Sequence, residues 1–219
     1  GYVTDPATGR TWTKPEYGGT LTWAVKHYPK SADAFTAGGW AGHFASSVLE
    51  QMAFGNWDVP RELVDDMAWV WTGPNMYAGA LATSWAMPDE TTFIWNVRKG
   101  VHWHDKPPMN GRQFNAHDVV WNYHRYAGMG DFAEVGPAPI GYIIDALEFE
   151  SVTATDDWTV VFKLKKPLAN TVENFLNKLT YMYPPEVYKN ENSFENWKNL
   201  VGTGPYQMTE FVEGSSTTF

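Results

Sequence analysis

The sequence contains no cysteine. Disulfide scaffolds, cysteine-bound zinc and thiol catalysis are therefore excluded. It also lacks an apolar run long enough to cross a bilayer, which takes about 20 residues. Positive charge is scarce: 16 Lys and Arg stand against 25 Asp and Glu, for a net charge of −9. That balance disfavours a nucleic-acid partner or an anionic membrane surface. No secretory leader pattern opens the chain, so a mature or a trimmed form is expected. Gly-x-Ser-x-Gly is missing, and with it the nucleophile turn of many hydrolases. Gly202-Thr203-Gly204 has neither the lysine nor the helix start of a phosphate loop. Asp65 and Asp66 are adjacent, so on a helix they point apart and make no acid–base pair.

Hydrophobic residues make up 43% of the 219 and charged residues 19%, a globular balance with enough length for one or two domains. Twelve Trp, eleven Tyr and twelve Phe require either a large core or an aromatic-lined cleft, and most are expected in the core. Residues 1–17 are polar and rich in Gly, Pro and Thr, the pattern of a flexible, tether-like leader.

The strongest local pattern runs from Leu81 to Tyr123. Thr91 to Arg98 alternates, with Phe93, Trp95 and Val97 on one face and Thr92, Ile94, Asn96 and Arg98 on the other. That is a half-buried strand. Val101 to His104 reads as extended, and a turn-rich piece follows to Gly111. Asn115, with Asp118 three residues on, starts a helix whose apolar stripe is Val119, Val120, Tyr123 and Ala127. Elsewhere, Thr20 to Val25 alternates as a strand. Phe44, Val48, Leu49 and Met52 have helical spacing, and 61–71 reads as a short helix. Leu147 to Ala154 and Trp158 to Lys165 form a hairpin about Asp156-Asp157. Leu168, Val172, Phe175, Leu176 and Leu179 predict an amphipathic helix. An alternating strand runs up to Val212, and Ser215 to Phe219 begins another. Residues 128–145 read as an exposed loop.

His102-Trp103-His104-Asp105 is the most metal-like constellation, since alternate residues of a strand share a face. The plainer reading is a strand end and turn, and no metal site is assigned. His117 and His124, seven apart on a helix, read as surface residues.

The ordered residues of the long block carry a resemblance. Leu81-Ala82, Ser84-Trp85, Asp89, Thr92, Phe93, Arg98-Lys99-Gly100-Val101, Trp103-His104-Asp105, Pro108, Ala116 and Asp118-Val119 match, position by position, the signature of the family 5 extracellular solute-binding proteins. Gly202-Thr203-Gly204-Pro205-Tyr206 is similar to a second hallmark of that family. Lys106 departs from it, standing where the family has a turn glycine. Extra residues around Met109-Asn110-Gly111-Arg112 depart as well, and Ala34 follows Asp33 where the family places proline.

The resemblance implies an α/β fold of the type II periplasmic-binding-protein kind, in two lobes, here incomplete and without the closing C-terminal lobe. Lobe I would comprise residues 1–52 and 185–219, and an inserted lobe II residues 53–184. The chain would be a fragment, a partly traced chain or a degenerate relative. It also implies a receptor of an ABC importer, periplasmic or extracellular and tethered at most through an N-terminal anchor. The partners would be an oligopeptide, or alternatively an oligosaccharide, and the transmembrane subunits of the permease. No cofactor and no catalytic residue are implied. Ligand-facing candidates are Phe35, Gly38, Gly39 and Trp40, with Met129 and Phe132 in the longer loop. Whether Trp40 faces ligand or packs a following helix stays open, as does a role as a scaffold for another protein.

Overall fold

The computed structural model describes residues 1–6, 9–14, 18–22, 24, 33, 46–56, 58–60, 76–139, 144, 147–176, 180–191, 194 and 196–219. Two short ribbons come first: β1 (Tyr2–Thr4) with β2 (Thr11–Thr13), and β3 (Ala53–Gly55) with β4 (Tyr77–Gly79). The main sheet contains β5 (Ala82–Asp89), β6 (Thr92–Val97), β7 (Phe149–Asp156) and β8 (Thr159–Leu164). Its order is β5-β6-β8-β7, antiparallel throughout. A last ribbon joins β9 (Glu210–Val212) to β10 (Ser216–Thr218). Among the described residues the α-helices are α1 (Ala116–Ala127), α2 (Thr171–Leu176) and α3 (Pro185–Glu191).

Local chemistry accounts for the sheet. β6 buries Phe93, Trp95 and Val97 as its alternation predicts, and Thr92 is buried beside them. At the β5–β6 turn the Asp89 carboxylate accepts hydrogen bonds from the Thr92 and Thr91 hydroxyls and from the Thr91 N–H. These bonds, the Thr92 hydroxyl first, hold its carboxyl well below the usual range. Edge strand β5 is irregular at Ala82/Ser84 and Ala86/Asp89 and carries Pro88, devices that discourage another strand from adding there.

Helix α1 has the predicted capping box. The Asn115 side chain accepts from the His117 N–H (2.9 Å), and Asp118 accepts from the Asn115 N–H (3.1 Å). The helix stops at Gly128, whose φ of 65° suits glycine. A Cβ there would lie 2.4 Å from the Pro137 nitrogen.

The aromatic excess goes largely into the core. Phe175 of α2 stacks on Phe93 with ring centroids 3.9 Å apart and meets Phe162 edge-on at 4.8 Å. Tyr123 of α1 meets Phe162 at 4.7 Å. The cluster therefore welds both helices to one face of the sheet.

Some expectations are corrected. Residues 20–22 and 24 lie outside any strand, and the rest of that predicted strand falls outside the described residues. Val48, Leu49 and Met52 are fully buried, but in a turn and an extended run leading into β3, not in a helix. Burial on all sides produced the apolar spacing there. Phe44 and the predicted helix at 61–71 are outside the described residues. Of the helix expected from Leu168, only Thr171–Leu176 is helical, and Leu179 is outside the description. His124 is half-buried with its Nε2 3.0 Å from the Val152 carbonyl, while His117 is exposed beside Asp157. The loop after α1 turns back over His124 at Gly130, which separates the fates of the two imidazoles.

Phe175→Ala would empty the centre of the aromatic cluster. We expect a loss of about 3–5 kcal/mol in urea unfolding. A loss below about 1 kcal/mol would show that the cluster does not hold α2 to the sheet.

Candidate functional site

Three segments meet in one crossing: 46–52, 180–184 and 200–206. The Met182 N–H donates to the Glu50 carbonyl (2.9 Å), the Gly204 N–H to that of Val48 (2.8 Å) and the Tyr206 N–H to that of Ser47 (3.2 Å). Residues 46–50 are thus bonded to both other segments. The approach at Gly202 is so close that a Cβ would lie 1.8 Å from the Val48 oxygen, and one at Gly204 would lie 2.7 Å from it. Only glycine fits at either position.

Helix α1 presents a second buried face to this crossing. Asp118, Asn122 and Arg125 recur at i, i+4 and i+7, all buried. The Asn122 amide donates to the Tyr183 carbonyl (2.8 Å) and accepts from the Tyr183 N–H (2.8 Å), pairing with the backbone as a strand would. The Tyr126 hydroxyl donates to the Tyr181 carbonyl (3.2 Å). Arg125 meets Asp33 at 2.6 Å, with its guanidinium 4.9 Å from the Tyr188 ring centre and 5.0 Å from that of Phe194. A buried charge pair of this kind requires such close partners.

Asp118 also receives the Trp103 indole N–H (3.3 Å) and the Arg112 guanidinium (2.7 Å). Arg112 extends to Glu186 at the start of α3 (2.8 Å). Burial opposes the charge on Arg112, but the two carboxylates outweigh it and its proton is held more tightly than usual.

The histidines of the 102–105 stretch are engaged with backbone. His102 Nδ1 lies 2.8 Å from the Gly111 carbonyl. His104 accepts at Nδ1 from the Gly202 N–H (3.3 Å) and donates from Nε2 to the Gly204 carbonyl (2.8 Å). Among the described residues, no three His, Cys, Asp or Glu gather at metal-binding spacing. Among them, too, no helix is long and apolar enough to cross a membrane.

Residues 77–219 match the profile of the bacterial extracellular solute-binding proteins, family 5 Middle. The chain belongs to that family. It is 30% identical over 146 residues to the dipeptide-binding protein of Escherichia coli, covering 62% of this chain and 27% of that protein. It is 28% identical over 145 residues to the probable ABC transporter periplasmic-binding protein SapA of Escherichia coli, covering 61% and 26%. Among solved structures it is similar to the DppA periplasmic binding protein of Helicobacter pylori in complex with the peptide STSA. That match has a TM-score of 0.65 and 22% identity, and covers 86% of this chain and 36% of that one. The Haemophilus influenzae OppA complex with RPPGFSPFR is similar at a TM-score of 0.64 and 22% identity, covering 84% and 34%. The fold is therefore α/β, part of a type II periplasmic binding protein. The chain spans well under half the length of the proteins it matches.

Within the family 5 block, both sequence hallmarks converge on the crossing. His104 from one and Gly202 and Gly204 from the other touch directly. Phe35, Gly38, Gly39 and Trp40 lie outside the described residues. Met129 is half-buried ahead of a single 3-10 turn, Gly130–Phe132. Phe132 is buried, with its ring 5.4 Å from that of Trp121 and 5.6 Å from that of Tyr188. Sequence reading missed Asp118, Asn122 and Arg125 as a unit. Their signal was a polar stripe alongside the apolar one on a single helix.

Two predictions follow from the crossing. Gly202→Ala should destabilise by about 3 kcal/mol or more in urea, because backbone must move, while Gly55→Ala, with open space around it, should change little. Equal effects would contradict the close approach. Glu50 is half-buried at the crossing, and burial raises its carboxyl above the ordinary value of 4.5 against the pull of Thr203, Arg98 and His104. A raised folded-state pKa favours the fold below the ordinary value, and the benefit is lost as pH rises through the raised one. Glu50→Gln should therefore gain stability over the parent at about pH 8 and not at about pH 4. The same gain at both would exclude a burial cost on the carboxylate.

Proposed function

We propose that the chain is part of an extracytoplasmic receptor that captures a peptide-like solute and hands it to the transmembrane subunits of an ABC importer. The observation that carries this reading is membership of family 5 together with neighbours bound to peptides, STSA in one and RPPGFSPFR in another. Its site of action is the periplasm or the outer face of the cytoplasmic membrane.

In this reading residues 1–52 and 185–219 contribute lobe I and residues 53–184 lobe II, and the two form one jaw. Ligand contacts across the mouth stabilise a closed state against a further lobe, so closure is populated only when loaded. No bond is made or broken. Phe35, Gly38, Gly39 and Trp40 offer close backbone approach and a flat ring to an extended peptide. Met129, in the longer loop, is a further ligand contact in this reading, while Phe132 is buried against Trp121 and Tyr188.

The second reading is an oligosaccharide ligand, because sugars stack on exposed indoles and the chain has twelve Trp. Titration calorimetry should compare a peptide pool with an oligosaccharide pool. We expect the full-length protein to bind peptide and residues 1–219 alone to bind it far more weakly. Binding of oligosaccharide only would replace the ligand class. Equal affinity for both lengths would contradict capture between jaws. A stable complex with another protein and no solute would favour the scaffold role.

A further inference from the structure

We propose that His104 is a positioning residue, the pin that fixes the angle at which the β5–β8 sheet sits on the 200–206 segment. The inference rests on the receptor reading only for what that angle serves. The pin itself rests on geometry.

Three hydrogen bonds join His104 to a segment about a hundred residues away. Its backbone N–H donates to the Gly202 carbonyl at 2.8 Å. Its ring accepts from the Gly202 N–H at 3.3 Å and donates to the Gly204 carbonyl at 2.8 Å. One ring thus grips both glycines, and those glycines are pressed on the Val48 carbonyl with no room for a Cβ. His104 therefore fixes 200–206 and, through it, residues 46–50. The imidazole is rigid and has two nitrogens at a fixed separation, which suits two backbone groups two residues apart.

The loop that follows adds to the grip. Lys106 Nζ donates to the Leu200 carbonyl (3.5 Å), and Arg112 closes the loop on Glu186 (2.8 Å). Both residues belong to the part of the loop that departs from the family pattern. The loop is closed on itself by the Lys106 and Gly111 N–H groups, both donating to the His104 carbonyl. A displaced His104 would thus carry the whole loop with it.

The absence of native cysteine makes a direct test possible. Glu150→Cys on β7 and Glu213→Cys beyond β9 are exposed sites for a pair of nitroxide labels. Pulsed dipolar spectroscopy on the 219-residue chain then reads the distance between the sheet and the last ribbon. We expect one narrow distance for the parent and a distribution roughly twofold broader for His104→Ala, because the angle is no longer held. His104→Asn keeps an acceptor where Nδ1 lies, and His104→Gln keeps a donor where Nε2 lies, so each should restore part of the narrow distance. Amide exchange within β6 serves as the control for folding: those amides should stay protected, with protection lowered only by the loss of global stability.

An unchanged distance for a folded His104→Ala overturns the pin. If His104→Ala does not fold, wild-type distances in both His104→Asn and His104→Gln overturn it, and broadening in either supports it. A broadened distance for His104→Ala, together with a full-length protein that binds no peptide, supports the pin and removes the receptor reading, so the two fail separately.

Discussion

The carbonyl of Val48 lies against the backbone at residues 202 and 204, and the arrangement of the crossing depends on that contact. It forces glycine at both positions and brings their N–H and C=O groups within reach of His104. Once the glycines are fixed, 46–50 is free to pair on its other side with Met182. Segments far apart in sequence therefore share one hydrogen-bonded layer, in which Val48, Leu49, Met182 and Val201 are buried.

Helix α1 couples this layer to the sheet. One of its faces is greasy: Val119, Tyr123 and Tyr126 sit against the aromatic cluster of β6, β8 and α2. The adjoining face is polar and equally buried. Packing alone would let the crossing segments slide along the helix. Asn122 on the Tyr183 backbone and Arg125 on Asp33 allow one register each. Buried polar groups are costly unless fully matched, so a mismatch of even one residue would be strongly disfavoured. Arg112 adds a third tie, from Asp118 on α1 to Glu186 on α3. The result is a body in which the sheet and the crossing are held together.

Much of the sheet was legible because its signals are local. The alternation of β6, the β7–β8 hairpin about Asp156-Asp157 and the capping box at Asn115 each lie within a few residues of sequence. The family block was legible for the same reason, as an ordered run. What sequence could not give was partnership at a distance. Val48, Leu49 and Met52 share a helical spacing with many buried extended runs, and only the glycines at 202 and 204 disclose which they are. His104 read as a strand end, since its ring partners lie about a hundred residues away. Phe132 read as a loop aromatic open to a ligand, because nothing nearby in sequence announces Trp121 and Tyr188 as its neighbours. The candidates from Phe35 to Trp40 lie outside the described residues, so that part of the site stands on the resemblance.

The crossing and the sheet should open together as one body. Native-state amide exchange measures this at single residues. The Met182 and Gly204 amides should exchange with the same opening free energy as Phe93 and Trp95 in β6, through a shared unfolding. If Met182 and Gly204 exchange freely while β6 stays protected, the crossing is a loose appendage and the account is wrong.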